Sequence, residues 1–130
     1  MPLISVTRLR IRSIRFLPGV VWDSIKSNAQ AKQAPGNLDS ALRAQGITVF
    51  WTLTAWEDEA SMQAFMRSGA HREAMPKLQS WCDEGSVVHW QQDSAELPTW
   101  AEAEAAMAAR GRFTPLLHPS PAHQQKRFSH

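Results

Sequence analysis

Histidine is the side chain of this 130-residue chain best suited to proton transfer, because the sequence has five His and no Tyr. His71 is the strongest candidate. It follows Ser68, Gly69 and Ala70 at the predicted start of a helix, where it is expected to face the cleft between helices and sheet. There it would act as a general base or as an axial haem ligand. The alternative is a polar residue that satisfies the helix terminus.

A second histidine, His89, lies between Val88 and Trp90 on a predicted strand. It would either line a pocket or form a hydrogen bond within the sheet. No pair of histidines has the spacing of a zinc site, so no metal is predicted. The single Cys82 allows no disulfide within the chain and is predicted to be a small buried hydrophobe rather than a nucleophile.

Three arginines alternate along the first predicted strand, and Arg8, Arg10 and Arg12 therefore share one face. One interpretation is a solvated face paired with the acidic residues of 51–109. The other is a face turned toward the barrel, where the guanidinium groups would hold a carboxylate or a haem propionate through bidentate contacts. Alternation groups these residues but does not fix their side of the sheet.

Tryptophan is unusually frequent, with six residues. Trp22, Trp81 and Trp100 fall on predicted helices and are expected to be core anchors, since large rings dominate core burial. Trp51 falls on the segment 47–56, the strongest predicted strand. We expect it to form a pocket wall, with core packing as the alternative.

Composition and charge indicate one globular domain. The chain is 43% hydrophobic and 20% charged with a net charge of +2, and its middle third is acidic between basic ends. We therefore expect no nucleic-acid partner. No leader and no membrane-length apolar run is present, which predicts a cytoplasmic protein without a membrane partner. Residues 1–111 are predicted to form the domain, and residues 112–130 a C-terminal arm or disordered tail.

Hydrophobic periodicity predicts the order β-α-β-β-α-(α)-β-α. The predicted strands are 4–12, 37–45, 47–56 and 86–90, and the predicted helices are 19–33, a segment ending near 69, 70–83 and a last helix reaching about 109. This order is typical of an α+β, ferredoxin-like antiparallel sheet with helices on one face. In helix 19–33, Val21, Ile25 and Ala29 are predicted to be buried.

The segment 47–56 carries apolar residues on both parities, so neither of its faces is expected to contact water. A ferredoxin-like monomer with helices on one face leaves the other face bare. An exposed apolar surface of that size usually marks an interface. The sequence therefore predicts a homodimer in which two sheets pack face to face.

The segment Phe50-Trp51-Thr52-Leu53-Thr54-Ala55-Trp56-Glu57-Asp58, followed by Met62, Phe65, Ser68, Gly69 and His71, resembles the antibiotic-biosynthesis-monooxygenase-like families. These are dimeric α+β barrel proteins, and the resemblance covers about residues 4–92. It implies a small monooxygenase that acts on an apolar, ring-containing molecule, with no cofactor as the expectation and haem as the alternative. The nearer likeness is to uncharacterised members that share the Gly-Ala-His segment, close to spheroidene-monooxygenase-type sequences.

The resemblance also places candidate residues. It implies a pocket wall of Trp51, Met62 and Phe65, with His89 lining the site and His71 as the catalytic group. In the haem-degrading branch a helical Trp and a His act with a strand Asn. Here Phe65 and Met75 stand in the first two positions, and 4–12 contains no Asn, which counts against haem degradation. A non-enzymatic ligand-binding or structural dimer, and a haem protein using His71, remain the alternatives.

Overall fold

The computed structural model describes residues 2–126, except for the side chains of residues 70 and 71. Its elements are β1 (Leu3–Ile11), α1 (Leu17–Gln33), β2 (Asn37–Gln45), β3 (Val49–Trp56), α2 (Glu59–Met66), α3 (Gly69–Trp81), β4 (Cys82–Gln91), α4 (Trp100–Arg110), β5 (Arg112–Phe113) and α5 (Pro121–Gln124). The sheet order is β2-β3-β1-β4-β5, and every pairing is antiparallel. The predicted α+β, ferredoxin-like class is confirmed.

Helices cover both faces of this sheet. The odd-numbered residues of β1 and the even-numbered residues of β3 face α1, α2 and α3, forming two apolar clusters with them. The other face packs against α4, and this third cluster contains Ile4, Val6, Val49, Trp51, Leu53, Ala55, Val88, Ala103 and Met107. The expectation that neither face of β3 contacts water is therefore confirmed. The expectation of a bare second face is wrong, because α4 of the same chain buries it.

Because helices cover both faces of the sheet, the apolar side chains of β1 switch from one face to the other along the strand. Ile4 and Val6 point toward α4, whereas Leu9 and Ile11 point toward α1 and α3. The pairing of β1 with β3 and β4 is regular through Thr7. The shift in register against β4 comes later, between Arg10 and Ile11.

Helix α1 buries a different face from the predicted one. Its buried residues are Val20, Asp23 and Ala31. Ile25 is 51% exposed and Trp22 is 60% exposed, so the predicted stripe and the predicted core role of Trp22 are wrong. The reason is that α1 turns its small and polar side chains toward a cavity above the sheet. The turn after the helix relies on Gly36, which has a φ of 84° and no room for a Cβ beside Ser61.

Local capping fixes where the other helices begin. The Asp58 carboxylate accepts a hydrogen bond from Ser61 N–H at 2.8 Å and starts α2. Thr99 and Glu102 form a capping box at the start of α4. Pro76 lies inside α3, which continues through it as one helix.

The segment after α4 runs along the outer edge of β4. Thr114 N–H donates to Gly85 O and Ser120 N–H donates to Asp83 O, both at 2.8 Å. The His123 ring contacts the carbonyl of Thr114 at 2.9 Å. We call residues 112–126 the C-terminal arm. Across residues 2–126, none of the helices combines the length and the apolar character needed to cross a bilayer.

Candidate functional site

A partly enclosed cavity of about 130 Å³ lies between the sheet and helices α1, α2 and α3. An apolar protein cavity of about this volume accommodates one benzene-sized ring. One part of its wall is apolar and is formed by Ala31, Trp56, Met62, Phe65, Met66, Ala74, Met75 and Leu78. Leu116 of the C-terminal arm also lines it, so the arm contributes to the wall.

The floor of the cavity is polar because strand register aligns short hydroxyl side chains. Thr54, Ser5 and His89 are paired neighbours across β3, β1 and β4. The adjacent row contains Thr52 and Thr7, and all five residues line the cavity. The sheet thus presents hydroxyl groups and one imidazole to any molecule held beneath the helices.

His89 is half-buried on this floor. Burial lowers its pKa from the ordinary value of 6.5, and the nearby Arg112 guanidinium lowers it further, while Glu59 acts in the opposite direction. The imidazole is therefore neutral near pH 7. A neutral imidazole has an unprotonated ring nitrogen, which can accept a proton.

The wall formed by α1 is polar as well. Asp23, Ser24, Ser27 and Asn28 line the cavity. The Asn28 side-chain oxygen accepts a hydrogen bond from Ser40 Oγ at 2.7 Å. Sequence reasoning missed this set because it followed the apolar stripe. The signal was available, since polar residues at i, i+1, i+4 and i+5 share one helical face.

Three of the predicted site residues come together here. Met62, Phe65 and His89 all line the cavity. Trp51 does not, because its parity places it on the α4 face, where it is buried in the core. Its indole N–H donates to Gln45 Oε1 at 3.1 Å. For Trp51 the alternative of core packing is the correct one.

The arginine stripe also lies away from the cavity. Arg8 Nη1 is 2.7 Å from Glu84 Oε1, and Arg10 Nη1 is 3.2 Å from Glu84 Oε2. Arg12 Nε donates to Ser80 O at 2.7 Å. Arg8 and Arg10 lie on the opposite face of the sheet from His89 and pair with acids of the chain's acidic middle, so the expectation that they face the barrel is not met.

His71 lies in the first turn of α3, whose later residues Ala74, Met75 and Leu78 line the cavity. Its side chain is outside the described residues, so its catalytic role stays a prediction. Cys82 is fully buried, and burial together with Asp83 raises the pKa of its thiol to about 12. Such a thiol is not a nucleophile near pH 7, as expected for a buried hydrophobe.

The lowered pKa of His89 predicts a pH-dependent loss of stability. Below pH 6.5 the unfolded chain binds a proton at this position more readily than the folded chain. Stability should therefore fall as the pH drops through 6.5 toward the folded-state pKa, and His89→Gln should remove this component. Melting temperatures between pH 5 and 8 test it, with exposed His118→Gln as the control. Parallel wild-type and His89→Gln curves would contradict it.

The sheet order, the helices that roof one face and the cavity beneath them define an α+β, ferredoxin-like fold that this chain shares with several solved structures. A putative antibiotic biosynthesis monooxygenase from Nitrosomonas europaea is 12% identical over 71% of this chain and 90% of that chain, with a TM-score of 0.64. SnoaB, a cofactor-independent oxygenase from Streptomyces nogalater, is 11% identical over 75% and 98%, with a TM-score of 0.58. A conserved protein from Methanosarcina mazei is 16% identical over 72% and 94%, with a TM-score of 0.64.

These identities show a shared fold, and the resemblance seen in the sequence is confirmed. The chain belongs to the DUF3291 family, which is described as a domain of unknown function and whose model matches residues 12–112. No curated protein matches the sequence. Any particular activity must therefore be argued from the cavity itself.

Proposed function

We propose that this protein is a small monooxygenase that binds an apolar, ring-containing molecule in the cavity beneath α1, α2 and α3. The observation that carries the proposal is that one ring-sized cavity has both an apolar wall and a neutral imidazole. Trp56 and Phe65, whose ring centroids are 5.2 Å apart, form part of that wall. His89 lies on the floor of the same cavity.

The chemistry requires a substrate that becomes electron-rich when it loses a proton. His89 accepts the proton, and the resulting anion reduces molecular oxygen directly. For a phenol, one oxygen atom enters a ring carbon that loses its hydrogen, and the ring hydroxyl group loses the second hydrogen. The second oxygen leaves with those hydrogens as water, so no external reductant is consumed. His71 is the second candidate for the proton acceptor.

Haem was the alternative cofactor, and the described residues do not fit it. The arginines expected to hold propionates pair with Glu84 on the far face of the sheet. The proposal therefore uses no cofactor, in keeping with the description of SnoaB as a cofactor-independent oxygenase.

Oxygen uptake with single-ring phenols tests the proposal. We expect turnover in the wild type and a fall of about 100-fold in His89→Gln, the usual size of a general-base contribution. His71→Ala measures how much His71 contributes to turnover, and the exposed variant His118→Gln is the control. Unchanged turnover in both site variants would refute the assigned roles. Ligand binding without oxygen uptake would support the alternative of a non-enzymatic binding protein. A Soret band on titration with haem would support the alternative of a haem protein.

We also propose a homodimer, although α4 already covers the sheet face first assigned to it. Exposed apolar side chains lie instead on α1 and β2, at Val21, Trp22, Ile25 and Leu42. Sedimentation at micromolar concentration should give a species of twice 14.6 kDa. Ile25→Glu should shift it toward the monomer if this surface is the interface. A wild-type monomer would refute the dimer.

A further inference from the structure

We infer that Asp23 selects the ligand of this cavity by accepting a hydrogen bond from its hydroxyl group. The inference rests on the proposed function, because it assumes that a ring compound occupies the cavity. It goes further by assigning a specificity-determining residue on α1, which the sequence pattern did not point to. It predicts that hydroxylated rings bind better than the same rings without an O–H donor.

The first observation is the burial of a charged group with an unmet acceptor. Asp23 is 6% exposed and lines the cavity. Its Oδ2 atom is buried and has no hydrogen-bond partner within residues 2–126. Leaving a buried polar atom unsatisfied is costly, and nearly all such atoms in proteins find a partner. A donor entering from the cavity would satisfy it.

The second observation is the pair of lysines beside this carboxylate. Lys26 Nζ is 3.5 Å from Asp23 Oδ1, and Lys77 Nζ is 3.6 Å from Asp23 Oδ2. The Lys77 side chain is 46% exposed and lies beyond hydrogen-bond distance, so it can move aside without breaking a hydrogen bond. Two cations around one carboxylate leave the local charge positive. The site therefore disfavours an ammonium ligand and suits a neutral hydroxyl.

The third observation is the orientation of α1 as a whole. The helix exposes Val21 and Ile25 to solvent and turns Asp23, Ser24 and Ser27 toward the cavity. This is the reverse of the usual amphipathic arrangement. A polar wall opposite the apolar wall of Trp56 and Phe65 matches a ligand that is a ring at one end and a hydrogen-bonding group at the other.

Binding of phenol and anisole, measured by ligand-observed NMR titration, tests the inference. The two compounds share one ring, but only phenol has an O–H to donate. We expect wild type to bind phenol about tenfold more tightly, the usual effect of a hydrogen bond to a charged group. Asp23→Ala should abolish this preference while leaving the affinity for anisole within about twofold.

Asp23→Leu, which has a similar size but no acceptor atom, keeps the test valid if the alanine variant folds poorly, and exposed Asp93→Leu is the matched control. A preference for phenol that survives in both Asp23 variants would overturn the inference. Equal affinity of wild type for the two compounds would overturn it too, while leaving the ring-binding cavity intact. Failure of wild type to bind either compound would refute the proposed function and, with it, the role of Asp23.

Discussion

Glu84→Gln should lower the free energy of unfolding by about 3 kcal/mol or more, the usual cost of breaking a buried ion pair from one side. Glu84 is 1% exposed and Arg8 is 4% exposed. Their 2.7 Å contact joins β4 to β1 in the middle of the sheet. Without the carboxylate charge, the Arg8 guanidinium stays buried beside a neutral amide. Equilibrium unfolding in urea measures the loss.

The same substitution should loosen the C-terminal arm, because Ser120 Oγ donates to Glu84 Oε2 at 3.0 Å. The amides of Thr114, Leu117 and Ser120 bond to carbonyls of β4 and α3. Their hydrogen exchange should accelerate more than that of amides in β1. Because the arm lines the cavity through Leu116, ligand affinity should weaken with it.

Two further variants separate charge from shape. Exposed Glu73→Gln makes the same chemical change and should shift stability by less than about 0.5 kcal/mol. The double variant Arg8→Met, Glu84→Leu removes both charges and should be more stable than Glu84→Leu alone. If Glu84→Gln and Glu73→Gln unfolded at the same urea concentration, the buried pair of Arg8 and Glu84 would not stabilise the folded state as predicted.

The fold was largely predictable because its elements carry local signals. β3 is rich in β-branched and aromatic residues, which favour a strand. The spacing of Thr99 and Glu102 in the sequence is that of a capping box at the start of α4. The place where α4 docks had no such signal. It depends on Arg43, whose guanidinium lies 4.8 Å from the Trp100 ring and 2.8 Å from Glu104. That contact joins residues 61 positions apart.

The candidate site was only partly predictable for a related reason. Strand alternation sorts Trp51 and Trp56 onto opposite faces, but it does not say which face carries the cavity. We chose Trp51, and the cavity lies on the side of Trp56. Met62 and Phe65 were found because both belong to the motif that carries the family resemblance, on the helix that follows β3. Asp23 was missed because periodicity rules assume that apolar side chains point inward.

Trp56→Ala should be the most destabilising single change in the cavity wall, at about 3–5 kcal/mol. Trp56 is fully buried, and its indole N–H donates to Thr54 Oγ1 at 2.9 Å. It packs against Leu3, Met62 and Phe65 in one cluster. Removing the ring extends the cavity and leaves the threonine hydroxyl without its donor. Thermal or urea unfolding gives the loss directly.

A control is available at Ile47, a large apolar side chain that is 62% exposed between β2 and β3 and lies outside the proposed dimer surface. Ile47→Ala should change stability by less than about 0.5 kcal/mol. Indole should raise the melting temperature of Trp56→Ala more than that of the wild type, because it refills the space that the ring occupied and binds only the folded state. If Trp56→Ala folds too poorly to measure, Trp56→Phe removes the N–H and keeps most of the packing. Equal losses of stability for the alanine variants at positions 56 and 47 would show that the ring does not support this wall.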